Sequence, residues 1–289
     1  MTFTAPALTE VIEKNVLAAL SEDIGSGDLT AQLIPPAQAA HATVISRDAA
    51  VLCGTAWFDA CFHQMDKGIA IHWFAHDGEA VAAGQKLAEI SGNARAMLSA
   101  ERPALNFLQT LSAIATATQQ YVDAIEGTKT RIMDTRKTLP GLRLAQKYAT
   151  TCGNGKNQRI GLYDGILIKE NHILAAGGIP QALAQAQRIA PPGASIQVEV
   201  ESLNELEQAL KAGAKLILLD NFSLEQMREA VKIAGERAEL EASGGITLAT
   251  VRAVAETGVQ RISVGSLTKD VKAVDLSMRF ESRPEDRRA

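Results

Sequence analysis

The chain has 289 residues, of which 46% are hydrophobic and 21% are charged, and its formal net charge is −4. A chain of this size can bury a substantial core, and its length favours about two domains. The negative net charge argues against nucleic acid as the main partner, because duplex binding usually needs a basic face. Any anionic ligand is therefore expected to be held by a local cluster of cations.

The amino-terminal residues and the cysteines bear on the compartment of the protein. No basic residue precedes Lys14, and no apolar run approaches the roughly 18 residues that a membrane span needs, so we expect neither secretion nor membrane insertion. Cys53, Cys61 and Cys152 are odd in number, widely spaced and without a CxxC pair, which predicts neither a disulfide framework nor a zinc site. Cys152 has no positioned base in the sequence and is interpreted as a packed thiol. These features favour a reducing cytoplasm.

The first third of the chain has the pattern of a small α+β layer. Apolar periodicity predicts a helix over residues 7–22, and a turn-forming stretch at 23–28 follows it. A second helix is predicted at 57–65, and a long helical pattern over 100–125, with Gly127 as its stop, links the two halves of the chain. Short, partly alternating runs predict strands at residues 41–46, 49–53, 69–74 and 85–90.

Beyond Gly127, short apolar runs alternate with helical segments, which indicates βα units and a parallel sheet. About six strands are predicted, fewer than the eight of a complete barrel, so we expect an incomplete α/β barrel. The barrel domain is predicted to cover residues 112–270, and the other domain residues 1–111, with 271–289 packing back on it. The charged end at 281–289 is interpreted as solvated. The predicted strands are 130–133, 165–168, 195–200, 215–219, 238–242 and 261–264, and the predicted helices are 181–189, 203–212, 224–235 and 248–257.

Polar or charged residues follow almost every predicted barrel strand. In a parallel barrel these strand ends meet at one mouth, so a single site collects them. Arg136, Lys137 and Lys169, with Arg159 in the loop before the second barrel strand, form a cationic group suited to carboxylates. The alternative is that each is only a solvated residue at the start of a loop. The strand ends run into residues 134–137, 169–172, 199–201, 220–221, 243–245 and 265–266.

Carboxylates and glycines at the later strand ends favour a phosphorylated sugar as a second ligand. Glu199 and Asp220 would suit magnesium or ribose hydroxyls, since magnesium takes a few carboxylates together with substrate phosphates. Their alternative role is to pair with a buried cation. The glycine pair at 244–245 and the Gly265-Ser266 pair offer backbone N–H groups to a phosphate.

Several of these runs, taken in order, closely resemble the signatures of quinolinate phosphoribosyltransferases. The resemblance covers nearly the whole chain, from the early turn to the last barrel strand. The runs are EDIGSGDLT at 22–30, ERPALN at 101–106, DTRKTLPGLR at 134–143, LIKENHI at 167–173, VEVE at 198–201, LDN at 219–221, SGGI at 243–246 and VGSL at 264–267.

The resemblance implies an N-terminal α/β sandwich domain and a C-terminal incomplete α/β barrel of the type II phosphoribosyltransferase kind. It also implies a homodimer in which Arg102 reaches the active site of the partner subunit. Quinolinate and phosphoribosyl pyrophosphate are the implied substrates, with Mg²⁺ accompanying the latter and no organic cofactor. The implied quinolinate-binding and catalytic residues are Arg102, Thr135, Arg136, Lys137, Gln158, Arg159 and Lys169. The implied ribose-binding and phosphate-binding residues are Glu199, Asp220, Ser243, Gly244, Gly245, Val264, Gly265 and Ser266, with Glu199 and Asp220 also implied for the metal.

The chain departs from the family pattern at Asn154 and Gln158, where a glycine and a histidine are expected in the loop before Arg159. Gln158 can donate a neutral hydrogen bond but carries no positive charge. The resemblance implies transfer of the phosphoribosyl group to quinolinate with loss of CO₂, giving nicotinate mononucleotide for NAD synthesis.

Two other functions are weighed against this one. Residues 76–90 look like the hairpin of biotinyl and lipoyl carrier domains, but the following residues 94–97 contain no lysine to be modified. A related pyrophosphorylase-like protein with another acceptor, such as those associated with molybdate transport, is the second alternative. The full cationic set favours quinolinate over that acceptor.

Overall fold

The computed structural model describes residues 5–281, so that the predicted solvated end lies, except for Glu281, outside the described residues. The helices are α1 (Ala5–Ile24), α2 (Thr55–Met65), α3 (Ala94–Ala124), α4 (Arg143–Cys152), α5 (Glu170–Ala176), α6 (Ile179–Ile189), α7 (Leu203–Lys211), α8 (Leu224–Ala234), α9 (Val251–Ala255) and α10 (Ser266–Lys269). The strands are β1 (Ala39–Ser46), β2 (Ala50–Val51), β3 (Ala70–Trp73), β4 (Ala80–Val81), β5 (Lys86–Asn93), β6 (Arg131–Met133), β7 (Gly165–Ile168), β8 (Ser195–Val200), β9 (Leu216–Asp220), β10 (Glu239–Ser243), β11 (Arg261–Ser263) and β12 (Leu276–Phe280).

The chain divides into two compact units. The first comprises Met1–Ala117, Leu139–Asn154 and Asp270–Ala289, and the second comprises Thr118–Thr138 and Gly155–Lys269. Helix α4 therefore belongs to the first unit although its flanking segments belong to the second. None of the helices in the described part of the chain is long and apolar enough to cross a membrane.

The first unit is built on a four-stranded antiparallel sheet with the order β12-β1-β5-β3. Alternate residues of β1 face the core, so Ala42, Val44 and Ser46 are buried. Strand β12 was not predicted. It pairs with β1, so the end of the described chain belongs to this sheet. Two aromatic residues of α2, Trp57 and Phe58, are fully buried in the same unit.

The second unit contains a six-stranded sheet with the order β6-β11-β10-β9-β8-β7, and every pairing in it is parallel. The prediction of an incomplete α/β barrel is confirmed, and each observed strand lies within one residue of its predicted bounds. Strands β6 and β7 are the two edges. The strand interiors are mostly apolar: Val198, Ile217, Leu219 and Ile262 are fully buried.

Helices α4 and α5 are among the elements that the apolar pattern missed. Helix α4 buries polar side chains, among them Gln146, Lys147 and Thr150, so an apolar stripe does not mark its inner face. Helix α5 has no buried residue and is only seven residues long. Helix α3 begins at Ala94, six residues earlier than predicted, and contains Pro103.

Candidate active site

The carboxyl ends of the six parallel strands in the second unit carry most of the predicted site residues. Because all six strands point the same way, these ends lie along one edge of the sheet. Lys169 directly follows β7, whereas Glu199 is the last residue but one of β8. Asp220 and Ser243 are the final residues of β9 and β10, and the register pairs them with each other. Val264, Gly265 and Ser266 follow β11, and Thr135, Arg136 and Lys137 follow β6 by one residue or more.

An ion pair joins two of the predicted site residues directly. Lys169 Nζ lies 3.0 Å from Glu199 Oε2 and donates a hydrogen bond to Oε1 at 3.3 Å. The Glu199 side chain is 13% exposed and that of Lys169 is 50% exposed, so the carboxylate is the more enclosed partner. These two opposite charges neutralise each other.

The positive charge of Arg136 acts on the guanidinium group of Arg159. Arg159 is half-buried, and its Nη1 donates to the carbonyl oxygen of Gly165 at 3.0 Å. Burial, followed by the positive charge of Arg136, lowers the pKa of Arg159. An anion placed between the two groups would relieve that repulsion, so this part of the site is suited to a carboxylate.

The backbone after β6 holds Lys137 against the end of β11. Lys137 N donates to Thr135 Oγ1 at 3.0 Å, and Thr268 Oγ1 donates to the carbonyl oxygen of Lys137 at 2.7 Å. A Cβ atom at Gly265 would lie 3.2 Å from Lys137 Cδ. The absence of a side chain at Gly265 therefore lets the lysine lie across this strand end.

The glycine pair after β10 has two different structural roles. Gly244 has φ +111°, and a Cβ atom there would lie 2.1 Å from Asn221 Oδ1, so only glycine fits. Asn221 itself has φ +56°, and its N–H donates to the carbonyl oxygen of Ser243 at 3.0 Å. Gly245 is exposed and has φ +58°, and a Cβ atom there would meet no other atom within 4 Å. Its backbone is open to a ligand.

Carboxylates crowd the ends of β8 and β9. The pKa of Glu201 is raised, first by the charge of Glu170 and further by Glu205, Asp220 and Glu199. Asp220 Oδ2 accepts a hydrogen bond from Asn221 Nδ2 at 3.1 Å. In the described part of the chain, these carboxylates do not place three ligand atoms within 4.8 Å of one another. They could attract a cation here, but substrate oxygens would have to complete its coordination.

Gln158 directs its amide into a buried polar group. Its Nε2 lies 2.5 and 2.6 Å from the two carboxylate oxygens of Glu241, and 3.1 Å from Gln197 Oε1. Gln197 Nε2 also donates to Glu241 Oε2 at 3.0 Å. Glu241 and Gln197 are 1% and 4% exposed, so the carboxylate is held by two neutral amides.

We call this group the buried triad (Gln158, Gln197 and Glu241). Its two strand residues each come two positions before a predicted site residue. Residues two apart in a strand face the same side of the sheet, so Gln197 shares a face with Glu199, and Glu241 shares one with Ser243. Gln197 and Glu241 were not predicted from the sequence. The available signal was a charged residue, Glu241, between the two apolar residues Leu240 and Ala242 of β10.

Two aspartates shape the loop that carries Gln158 and Arg159. Asp134 is fully buried; its Oδ1 accepts from Gln158 N at 2.8 Å and its Oδ2 from Asn157 Nδ2 at 2.6 Å. Asp164 accepts from the N–H groups of Ile160 and Gly161 at 2.8 Å each. The loop is thus tied at both ends by carboxylate–amide hydrogen bonds.

Asn154 and Arg102 lie in the first unit. Asn154 has φ +63°, the left-handed region in which glycine is favoured and asparagine is tolerated, so the departure from the expected glycine keeps the backbone conformation. Arg102 lies on α3 and its side chain is exposed. Its predicted contribution to a partner's site stays a prediction.

Comparisons with known proteins identify the family. The family description "Quinolinate phosphoribosyl transferase, N-terminal domain" matches residues 28–112, and "Quinolinate phosphoribosyl transferase, C-terminal domain" matches residues 114–279. The chain belongs to the quinolinate phosphoribosyltransferase family. The resemblance stated from the sequence motifs is therefore confirmed.

Similar full-length proteins support the same family. The probable nicotinate-nucleotide pyrophosphorylase [carboxylating] of Bacillus subtilis is 42% identical over 257 residues, covering 89% of each chain. Quinolinate phosphoribosyltransferase [decarboxylating] 2b of Nicotiana tabacum, named mitochondrial, is 37% identical over 284 residues, covering 91% of this chain and 80% of its own. The solved nicotinate-nucleotide pyrophosphorylase of Francisella tularensis is 46% identical, with a TM-score of 0.91, over 94% of this chain and 96% of that one.

Proposed function

We propose that this member of the quinolinate phosphoribosyltransferase family transfers the phosphoribosyl group of phosphoribosyl pyrophosphate to quinolinate. The products are nicotinate mononucleotide, CO₂ and pyrophosphate, which places the reaction in NAD synthesis. The observation that carries the proposal is that Arg136, which follows β6, lies near the half-buried Arg159, whose pKa is lowered by burial and then by the charge of Arg136; two neighbouring cations favour an anionic ligand. The proposal is supported by the names of the relatives that match nearly the whole chain.

Quinolinate has two carboxylates, and the cations of the second unit fit them. Arg136 and Arg159 would each bind a carboxylate through two parallel N–H donors, whereas Lys137 and Lys169 supply point charges. Thr135 would hold the backbone of Lys137 in place through the hydrogen bond to its N–H. Gln158 would act on this site through the buried triad, because its amide donates to Glu241.

The acidic and glycine-rich strand ends would receive the second substrate. Glu199 and Asp220 would meet the ribose and, together with phosphate oxygens, would bind Mg²⁺, and the carboxylates that crowd Glu201 support cation binding there. When bound, Mg²⁺ would neutralise charge on the departing pyrophosphate. The exposed backbone of Gly245, with Ser243, Gly244, Val264, Gly265 and Ser266, would hold the 5′-phosphate.

The reaction proposed for this arrangement is a displacement at the anomeric carbon of the ribose. The pyridine nitrogen attacks as pyrophosphate leaves, and the carboxylate of Glu199 or Asp220 stabilises the positive charge that develops near that carbon. The quaternised ring then loses CO₂, the electron pair of the broken C–C bond stays on the ring carbon beside the nitrogen, and Arg136 or a neighbouring lysine stabilises that negative charge until the carbon takes up a proton from solvent. No covalent bond to the protein is needed.

The assay for this function supplies quinolinate, phosphoribosyl pyrophosphate and Mg²⁺ and measures nicotinate mononucleotide. Quinolinate should be used far better than nicotinate, because a site with several cations loses binding when one carboxylate is missing. The control is Gln208→Leu, because Gln208 is exposed and lies outside the site. Asp134→Asn cannot serve as the control, because Asp134 shapes the loop that carries Gln158 and Arg159. Comparable turnover with nicotinate would overturn the assignment.

We propose further that the protein works as a homodimer. An apolar groove of about 350 Å³ runs beside the edge strand β7 and is lined by Leu162, Ile166 and Ile189. Leu162 and Tyr163 are each 73% exposed, and Leu174 is 80% exposed, although all are large and apolar. An unpaired edge strand beside exposed apolar residues is the kind of surface that a second subunit covers.

The dimer proposal includes a shared active site with Arg102 supplied by the partner subunit. Arg102→Ala and Lys137→Ala chains should each be inactive alone, but their heterodimers should contain one complete site. Random mixing should therefore restore up to about a quarter of the wild-type activity. Subunit exchange is checked with two differently tagged chains. Exchange without recovery of activity would show that each chain completes its own site.

The compartment and the domain boundary are proposed from the sequence pattern. We propose that the reaction takes place in the cytoplasm, which cell fractionation can test against the organellar naming of the plant relatives. We also propose that residues 112–270 form the catalytic barrel domain, with 1–111 and 271–289 forming the other. Limited proteolysis should then cut between these parts before it cuts within them.

A further inference from the structure

Two cysteines that are distant in sequence lie together in the first unit. The sulfur atoms of Cys53 and Cys152, together with a carboxylate oxygen of Asp77, all lie within 4.8 Å of one another. Cys53 is fully buried at the turn before α2, whereas Cys152 is the last residue of α4 and is partly exposed. The fold thus brings together two thiols that their spacing in the sequence does not connect.

Hydrogen bonds fix the carboxylate and the backbone groups beside the two thiols. Asp77 Oδ1 accepts hydrogen bonds from the N–H groups of Gly54 and Thr55, at 3.0 and 3.1 Å, so the carboxylate is fixed at the start of α2. Its Oδ2 accepts from the hydroxyl of Tyr148, one turn before Cys152 on α4, at 2.9 Å. The main chain of Cys53 exchanges hydrogen bonds with Ser112 Oγ at 2.9 and 3.1 Å.

We propose that Cys53 and Cys152 are an oxidisable thiol pair that closes an intramolecular disulfide when the protein meets a hydroperoxide. A disulfide joins its sulfurs at about 2.05 Å, so the two atoms must approach each other by less than about 3 Å. Cys152 is the less buried of the two residues and is oxidised first, and Cys53 is the buried thiol that resolves its oxidation.

The electrostatics agree with this division of roles. The hydrogen bond from Cys53 lowers the pKa of Cys152 against the opposing effect of its burial. Burial raises the pKa of Cys53 well above its ordinary value. The third cysteine, Cys61, is buried as well, and burial raises its pKa to about 12. Cys61 therefore serves as the internal control.

The chemical steps balance with hydrogen peroxide as the oxidant. The Cys152 thiolate attacks one peroxide oxygen, the O–O bond breaks, and hydroxide leaves and takes up a proton to give water. The sulfur of Cys53, losing its proton, then attacks the sulfur of the Cys152 sulfenic acid, and a second water leaves. Two thiols and one peroxide thus give one disulfide and two waters.

The test treats the full-length protein with a small excess of hydrogen peroxide and analyses it by intact mass and peptide mapping without reduction. The expected result is a loss of two hydrogens, a peptide cross-link between Cys53 and Cys152, and full reversal by dithiothreitol. Cys61→Ser should form the same cross-link. Cys152→Ser should form none, and its remaining thiols should resist alkylation in the folded protein.

Cys53→Ala provides a second measurement, because removal of the resolving thiol should leave a Cys152 sulfenic acid that dimedone traps. Wild-type protein should give little dimedone adduct. If Cys53→Ala fails to fold, the peptide map of the wild-type protein still decides. Oxidation of Cys152 without a cross-link, or cross-links between chains only, would overturn the proposal. Thiols that react only after removal of a bound metal by EDTA would also overturn it, in favour of metal binding by the same three residues.

Discussion

The buried triad permits a quantitative test of what Gln158 does in place of the expected histidine. Gln158→Leu removes the donor that lies 2.5 and 2.6 Å from the two oxygens of Glu241 and leaves that carboxylate with Gln197 alone. A buried acceptor that loses its donor costs about 1–3 kcal/mol, and more when the acceptor is charged. We therefore expect the free energy of unfolding to fall by about 2–3 kcal/mol.

A double-mutant cycle separates this effect from a simple loss of packing. Glu241→Leu removes the acceptor, and in the double variant Gln158→Leu/Glu241→Leu no buried charge is left without its donor. The double variant should then be more stable than the sum of the single effects predicts, by a coupling energy of about 1.5–3 kcal/mol. The exposed substitution Gln208→Leu should change stability by less than about 0.5 kcal/mol.

The measurement is denaturant unfolding followed by far-ultraviolet circular dichroism. Tryptophan fluorescence is unsuitable, because Trp57 and Trp73 both lie in the first unit and the triad lies in the second. Thermal midpoints should fall by roughly 2–4 °C for each kcal/mol. Single effects that add with a coupling below about 0.5 kcal/mol would refute the inference that Gln158 is a partner of Glu241.

Three further predictions concern the site and its supports. Lys169→Met should weaken quinolinate binding, measured by calorimetry, by about 1.5–3 kcal/mol. Asp220→Asn should instead lower the single-turnover rate and leave quinolinate binding nearly intact. Normal turnover in Asp220→Asn would contradict the role proposed for this carboxylate. Gly244→Ala should destabilise the protein by more than about 2 kcal/mol and Gly245→Ala by about 1 kcal/mol, because only the first would bring a side chain against Asn221; equal effects would contradict the steric argument. Hydrogen bonds from Ala31 N and then from Ser99 lower the pKa of Asp28 from its ordinary 3.8. The stability that the Asp28 carboxylate contributes is therefore present above pH 3.8 and is lost as the pH falls through the lower pKa of the folded state. Asp28→Asn should be less stable than the wild type in thermal unfolding at pH 7, and this difference in stability should shrink in that acid range.

Alternation and helical spacing were sufficient to predict the parallel sheet of the second unit. Its strands are mostly apolar runs between polar ends. Hydrophobic burial favours a buried strand for such a run wherever the run lies in the chain. The predicted bounds of β7 and β8 agree with the structure at both ends. The same rule failed for α4, because this helix buries Gln146, Lys147 and Thr150, whose polar side chains conceal the periodicity.

Pairings between distant residues could not be predicted from local patterns. Strand β12 and β1 are separated by more than two hundred residues, and Cys53 and Cys152 are separated by about a hundred, so no spacing rule links them. The triad illustrates a third limit. A single sequence shows that Glu241 is charged, but not that a loop residue such as Gln158 supplies its donors.

The Lys169–Glu199 ion pair connects the two substrates proposed for the site. We propose Lys169 for quinolinate and Glu199 for the ribose, and these two side chains form an ion pair with each other. A carboxylate that binds Lys169 must compete with Glu199, and in doing so it frees Glu199 for the second substrate. Because the lysine is half exposed, this pair contributes no more than about 1 kcal/mol, which limits the coupling between the two substrates through it to roughly fivefold. Any stronger coupling has to come from other groups, of which the Arg136–Arg159 repulsion is the nearest source on the quinolinate side.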